Sequence, residues 1–113
     1  MNKRTKALRF TNETINKIIE RDESCLFCKN RYHMNKDYND FRDTIFDIMH
    51  IVPKSAGGLG IEENGVLGCR YHHHMLDNGN NGLRNEMLEI LEEYLKSIYN
   101  DWDKNELVYD KYK

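Results

Sequence analysis

The chain has 113 residues, 39% of them hydrophobic and 32% charged, and its formal net charge at pH 7 is −2. This length is typical of one small domain, so we take residues 1–113 as a single unit. No apolar run approaches the roughly 20 residues that a membrane-spanning helix needs, which argues against a membrane partner. The net charge of −2 argues against a protein that binds nucleic acid through phosphate contacts alone, because such proteins are usually strongly basic.

Residues 1–10 form a basic arm without an acidic residue, and its cations are Lys3, Arg4, Lys6 and Arg9. The arm either supplies contacts to nucleic-acid phosphates or is a solvated, flexible tail. Residues 11–21 then predict a short helix, because Thr11 and Asn12 are favourable residues at a helix N-terminus. This N-terminal helix leads into the first cysteine pair.

The middle of the chain predicts two short strands and a helix. Its first segment is rich in β-branched and apolar residues and stops before Pro53, the only proline, so His50 lies at the exit of the first strand. A glycine-dense loop separates this strand from the next. The predicted order is strand, loop, strand and helix, over residues 44–52, 54–60, 65–68 and 69–77 respectively.

A longer helix is predicted over residues 83–99, because apolar residues recur there at helical spacing. Such a stripe usually faces the core, and its members are Met87, Leu88, Leu91, Leu95 and Ile98. Trp102 and the apolar segment 107–109 are expected to fold back on the same core, with a dimer interface as the alternative. The predicted fold class is α+β.

Two short pairs, Cys25-x-x-Cys28 and Cys69-x-x-His72, use every cysteine of the chain. Two intervening residues let both side chains of a pair reach one ion, so the pairs predict a structural zinc site with three sulfurs and one nitrogen. His72 is the favoured fourth ligand because it keeps this spacing from Cys69. His73 then points elsewhere, since adjacent residues of a helix diverge by about 100°.

Two other uses of the cysteines fit less well. Three cysteines cannot all pair within one chain, and nothing resembles a secretory signal peptide, so a disulfide framework is disfavoured. A redox Cys-x-x-Cys motif would leave Cys69 without a role. Cysteines that bind metal indicate a reducing cytosol, which we expect to be that of a bacterial host cell.

The run His50-Ile51-Val52-Pro53-Lys54-Ser55-x-Gly57-Gly58, followed by Asn64-Gly65-Val66-Leu67-Gly68-Cys69-x-x-His72-His73, resembles the HNH endonuclease motif of the ββα-metal (His-Me finger) superfamily. The resemblance covers residues 25–79 and is to small phage-type members with a Cys3His zinc knuckle. It implies a ββα-metal core stabilised by structural zinc. The short N-terminal helix and the C-terminal helix would flank this core.

The resemblance also implies a role for each matching residue. His50 matches the general base, which takes a proton from the attacking water. Asn64 matches the asparagine that braces the loop and orients the base. His73 matches a ligand of a catalytic divalent cation, Mg²⁺ or Mn²⁺, with Ni²⁺ or Zn²⁺ as alternatives. The cation would stabilise charge on the scissile phosphate and the leaving oxygen.

Met49 departs from the family pattern, in which an acid or histidine before the general base is a second metal ligand. A thioether is a poor ligand for Mg²⁺ or Mn²⁺. Asp47 is the candidate replacement because it lies on the same strand face, but it is expected to reach the metal only if the strand bends or bulges. If residue 49 faces the metal, Met49→Asp should preserve or raise activity.

The resemblance implies a metal-dependent endonuclease acting on double-stranded DNA in a phage or bacterium, in DNA packaging, defence or mobile elements. The alternative, which Met49 favours, is a zinc-stabilised DNA-binding or packaging accessory protein with weakened or lost cleavage. Lys54 and Arg70 lie beside the motif and join the basic arm as candidate DNA contacts. Because the cations are few, a partner such as a terminase, or a homodimer, is expected to deliver the protein to DNA.

Overall fold

The computed structural model describes residues 2–78 and 82–112 of the chain. It is an α+β fold in which five helices surround a two-stranded antiparallel sheet. In chain order the elements are α1 (Lys3–Leu8), α2 (Asn12–Asp22), α3 (Leu26–Lys29), β1 (Phe46–His50), β2 (Gly65–Cys69), α4 (Arg70–Asn78) and α5 (Arg84–Ile98). The predicted order of strand, loop, strand and helix is therefore confirmed. Gly79, the last residue of the predicted motif core, lies outside the described residues.

Strands β1 and β2 pair in a regular register from Phe46 opposite Cys69 to His50 opposite Gly65. The first strand is shorter than predicted. Before it, Arg42–Thr44 form a 3₁₀ turn, and after it the Ile51 N–H donates to the carbonyl oxygen of Asn64 as the chain turns away. The predicted strand is too long at both ends because β-branched residues also flank β1, where the backbone turns instead of pairing.

Helix α4 follows β2 without an intervening residue and packs against both strands. Helix α5 then covers α4, and the side chains of Met87, Leu91 and Leu95 are fully buried. This confirms the predicted apolar stripe, except that Ile98 at its end is 40% exposed.

The C-terminal segment folds back as predicted. Leu107 is buried, and the Trp102 indole N–H donates to the carbonyl oxygen of Glu63 at 2.7 Å. The Leu59 N–H donates to the carbonyl oxygen of Leu107, and the Tyr109 N–H donates to the carbonyl oxygen of Gly57. These bonds tie the C-terminus to the glycine-dense loop that follows His50.

A buried carboxylate joins three elements. Asp22, at the end of α2, accepts two hydrogen bonds from the Arg21 guanidinium, one from the Leu67 N–H of β2 and one from the Tyr94 hydroxyl of α5. A buried charge is tolerated when it is paired and hydrogen-bonded in this way. The network fixes β2, and with it the zinc ligand at its end, between the two helices.

The basic arm is helical in the described residues. Asn2 caps α1, Leu8 is buried, and the Gly60 N–H donates to the carbonyl oxygen of Ala7 at 2.9 Å. The arm therefore packs beside the loop that follows His50. Among the described residues, no helix has both the length and the apolar character needed to cross a bilayer.

Met49 faces the core rather than the cleft: its side chain is fully buried, and it packs over Gly68, where an added Cβ would collide with its thioether. A carboxylate at position 49 would lie among apolar side chains.

We expect Met49→Asp to destabilise the protein by about 3 kcal/mol or more, because it buries a charge without a partner. Met49→Leu, which conserves the volume, should cost less than about 1.5 kcal/mol. Urea unfolding of both variants measures the difference. A stable Met49→Asp protein with raised activity would instead place residue 49 at the metal.

Candidate metal centre and active site

The structure brings the two cysteine pairs together. Cys25 precedes α3 and Cys28 lies within it, Cys69 ends β2, and His72 lies in the first turn of α4. Their ligand atoms all lie within 4.8 Å of one another. All three cysteines are free thiols, and Cys69 belongs to the cluster, so Cys25 and Cys28 do not form a separate redox pair.

The distances match the edges of a tetrahedron. The Sγ atoms of Cys28 and Cys69 are 3.6 Å apart, and the His72 Nδ1 lies 3.7, 3.5 and 3.3 Å from the sulfurs of Cys25, Cys28 and Cys69. Zinc bonds of about 2.3 Å to sulfur and 2.0 Å to nitrogen give edges of roughly 3.5–3.8 Å. The four residues therefore fit a structural zinc ion.

His72 is held in the orientation that a metal ligand needs. Its Nε2–H donates to the carbonyl oxygen of Tyr32 at 2.6 Å, which leaves Nδ1 facing the three sulfurs. The Tyr32 hydroxyl in turn donates to Glu86 of α5 at 2.7 Å. A hydrogen bond to the far nitrogen fixes the tautomer of a ligating histidine, so Tyr32 in the loop after α3 supports the site without supplying a ligand.

The pKa values of the three cysteine thiols depend on one another. Burial and the neighbouring Cys25 raise the pKa of Cys28 to about 11. The hydrogen bond with Cys25, together with burial, raises the pKa of Cys69 further, while the same bond lowers the pKa of Cys25 to about 3. Only one thiolate is thus favoured in the bare cluster, whereas a dication would stabilise all three.

His50 ends β1 with a buried ring nitrogen. Its Nε2 is buried and has no hydrogen-bond partner within the described residues, and its ring packs against Phe10 with centroids 4.7 Å apart. Burial lowers the pKa of His50 from its ordinary value of 6.5, and Lys54 and His73 lower it further. A neutral imidazole with an unused nitrogen is the state that a general base requires.

Asn64 braces the backbone just after His50. Its side chain is fully buried; Oδ1 accepts from the Val52 N–H at 2.8 Å, and Nδ2 donates to the carbonyl oxygens of Val52 and Leu59 at 3.0 and 2.8 Å. These bonds close the glycine-dense loop onto the end of β1. The position agrees with the bracing role that the resemblance implied.

His73 lies between two carboxylates. Its Nδ1 is 3.0 Å from Oδ2 of Asp47, and its Nε2 is 3.2 Å from Oδ2 of Asp77, one turn later in α4. All three side chains line an open cavity of about 510 Å³ together with Ile48, Arg70, His74 and Asn78. Asp47 reaches His73 from a strand in regular register; that Asp47 binds a catalytic cation stays a prediction.

Asp77 was missed by the sequence reasoning, although a signal was present. Residues four apart in a helix share a face, so a carboxylate at position 77 lies beside a histidine at position 73. Arg70 and His73 hold the pKa of Asp47 below its usual range, so this carboxylate is ionised at neutral pH. Two carboxylates and one imidazole are suitable ligands for Mg²⁺ or Mn²⁺.

The donor atoms of Asp47, His73 and Asp77 are not gathered as closely as those of the Cys3His cluster. Within residues 2–78 and 82–112, the Cys3His cluster is the one group of metal-ligating side chains whose donor atoms all approach one another closely. Both ring nitrogens of His73 already face carboxylate oxygens. A cation at this cavity would therefore have to replace at least one of the two contacts.

The candidate DNA contacts lie on two sides of His50. Lys6 and Arg9 line a cavity with Phe10, which packs on the His50 ring, and Lys54 is close enough to lower the pKa of His50. Arg70 donates to Asp47 at 3.1 Å on the other side. Lys3 and Arg4 lie on the exposed surface of α1. His33 and His74 lie outside the Cys3His cluster.

Comparison of the chain with family models, with curated proteins and with solved structures gave no match. The function is therefore argued from the zinc-type cluster, the unpartnered nitrogen of His50 and the paired carboxylates at His73.

Proposed function

We propose that the protein is a metal-dependent DNA endonuclease with a ββα-metal core, in which His50 is the general base. The observation that carries the proposal is the buried, unpartnered Nε2 of His50 beside the cavity formed by Asp47, His73 and Asp77. His73 and Asp77 lie close enough to His50 to affect its pKa. A base and a cation-binding group would thus face a single phosphodiester.

In this proposal His50 removes the proton from a water molecule that attacks the phosphorus. Its lowered pKa keeps the imidazole neutral at physiological pH, and Asn64 holds the backbone that carries it. The fixed ring loses little entropy when substrate binds, which favours proton transfer.

His73, Asp47 and Asp77 would hold the divalent cation. When bound, the cation supplies Lewis-acid stabilisation of charge on the phosphate and on the leaving oxygen. Because Asp47 is ionised and Asp77 is exposed, both carboxylates are available to exchange their contact with His73 for a contact with a cation.

The charge of the chain limits how it can bind DNA. Lys54, Lys6 and Arg9 near His50 supply phosphate contacts, but the net charge is −2. Non-specific affinity rises with the number of phosphates neutralised, so a chain with few available cations binds weakly. Delivery by a partner, such as a DNA-packaging protein, or by a second copy of the chain would compensate for these few contacts.

The test is a supercoiled-plasmid assay with Mg²⁺, Mn²⁺, Ni²⁺ and added Zn²⁺ in parallel. We expect nicked or linear product that requires an added cation and carries 5′-phosphate ends. A folded, zinc-loaded protein that cleaves no plasmid with any of these cations would defeat the proposal.

A second prediction concerns the cation. Asp47→Asn and Asp77→Asn should each raise the Mn²⁺ concentration for half-maximal nicking by about tenfold or more, because each removes a ligand of the cation. Glu89→Gln, which removes one charge from the exposed face of α5, is the matched control. Unchanged Mn²⁺ dependence in both cavity variants would place the cation elsewhere.

The alternative function is a zinc-stabilised DNA-binding or packaging accessory protein. The observation that favours it is the occupied state of His73, whose two nitrogens both face carboxylates. The two functions differ in one result: the accessory protein would shift DNA in a gel without converting supercoiled plasmid.

A further inference from the structure

An apolar surface lies beside the candidate active site. Phe41, Ile45 and Phe46 are 66%, 41% and 55% exposed, and we call them the 41–46 surface. Phe41 and Ile45 flank the 3₁₀ turn and Phe46 is the first residue of β1; the Arg70 N–H donates to the carbonyl oxygen of Ile45. Three large apolar side chains exposed within six residues are unusual for a small domain and often mark a binding site.

The surface is aligned with His50. Side chains alternate along a strand, so Phe46, Ile48 and His50 share one face of the regular strand β1. Four residues of strand place Phe46 about 13 Å from His50. This is on the order of four steps of a DNA strand at the 3.4 Å spacing of stacked bases, and fewer if the bases are splayed.

Two arginines beside the surface are arranged for an anionic ligand. Arg42 pairs with Asp40 and Arg70 with Asp47, and in both pairs the cation is the more exposed partner. The side chains of Arg42 and Arg70 are 41% and 53% exposed, against 16% and 19% for the two carboxylates. A ligand that approaches the 41–46 surface therefore meets apolar groups with guanidinium groups beside them.

We propose that the 41–46 surface binds unpaired nucleobases of the DNA strand whose phosphate reaches His50, with Phe46 as the stacking platform. The inference rests on the proposed function, which it deepens by naming single-stranded or locally unpaired DNA as the substrate. Aromatic rings bind any exposed base by stacking, and adjacent cations contact the phosphates between the bases. Stacking also supplies affinity that a chain of net charge −2 does not gain from phosphate contacts.

The experiment measures binding separately from cleavage. The full chain with His50→Ala, without added divalent cation, is titrated into a labelled single strand of about 20 nucleotides, the matching duplex, and a duplex with an unpaired bubble. Anisotropy gives the dissociation constants. A single strand that carries 2-aminopurine reports stacking directly through its fluorescence.

Phe46→Ala should weaken binding of the single strand and the bubble about tenfold and that of the duplex less than twofold, because one stacked base is lost. Phe46→Trp should retain binding and the 2-aminopurine signal. Tyr112→Ala, at a ring that is 86% exposed near the C-terminus, is the matched control and should bind as the parent does.

Several results would overturn the inference: unchanged binding of Phe46→Ala, an equal loss on duplex and single strand, or no DNA binding by the parent. A concentration-dependent dimer that Phe46→Ala dissolves would assign the surface to a second copy instead. If the wild-type protein nicks plasmid but Phe46→Ala binds DNA as tightly as its parent, this inference is wrong and the nuclease proposal is unaffected. Phe46-dependent binding without any nicking defeats the nuclease and leaves the stacking surface standing.

Discussion

Removing zinc from the Cys3His cluster should unfold the protein. The four ligands come from the ends of α3, from β2 and from α4, so the ion joins segments that are 44 residues apart between Cys28 and His72. Structural zinc supplies roughly 10–16 kcal/mol of apparent binding energy in small domains, which is comparable with a whole domain's stability of about 5–15 kcal/mol. Elemental analysis should find one zinc per chain, and a strong chelator should abolish the cooperative melting transition.

Cys69→Ser should reproduce the effect of the chelator, because it removes a ligand and leaves the thiols of Cys25 and Cys28 without a complete site. His74→Gln is the matched control, since His74 lies two residues after a ligand in the same helix but outside the cluster. Folded wild-type protein without zinc, or Cys69→Ser with full zinc content and wild-type melting, would contradict the assignment.

The second large effect is expected from His50→Ala, which should lower plasmid nicking by about 10²–10⁴-fold at saturating Mn²⁺ because the general base is lost. Zinc content should remain at one per chain, and melting should change little, since the ring lies at the end of β1 and packs mainly on Phe10. Glu89→Gln, on the exposed face of α5 and outside the lining of the cavity, is the control and should nick normally. Wild-type nicking by His50→Ala would mean that another group takes the proton.

The pH dependence gives an independent check on His50. Because burial lowers its pKa below 6.5, the nicking rate should fall to half of its plateau at a pH below 6.5, as the imidazole becomes protonated. The same shift affects stability: between the folded pKa and 6.5 the unfolded chain binds more protons, so the free energy of unfolding decreases as the pH falls through this window. His50→Ala should lose this part of the pH dependence of melting.

Element order and the zinc ligands were predictable because both depend on local spacing. The β-branched segment ending at Pro53 and the two ligand pairs each place chemistry at fixed intervals along the chain. The structure bears out the pairing of β1 with β2, the helix that carries His72 and His73, and the buried stripe of α5. The catalytic roles of His50, Asn64 and His73 remain predictions.

The carboxylate contacts of His73 were harder to predict. Strand alternation placed Asp47 and Met49 on the same face, but it does not say how α4 lies across that face. In the structure Met49 is buried in the core. Asp47 lies at the edge of the core, with its Oδ2 3.0 Å from Nδ1 of His73. The sequence prediction considered the backbone spacing of Asp47 along the strand, and not the lengths of the Asp47 and His73 side chains. Packing between a strand and a helix decided what spacing alone left open.

The adjacency of His72 and His73 has a consequence for how this segment tolerates change. One residue serves the zinc cluster and the next serves the cavity, with no loop between β2 and α4 to absorb a shift. An added or deleted residue here would turn every later side chain of the helix by about 100° and separate the two sites. Among related sequences, the segment from Cys69 to His73 should therefore keep its length as well as its ligand residues.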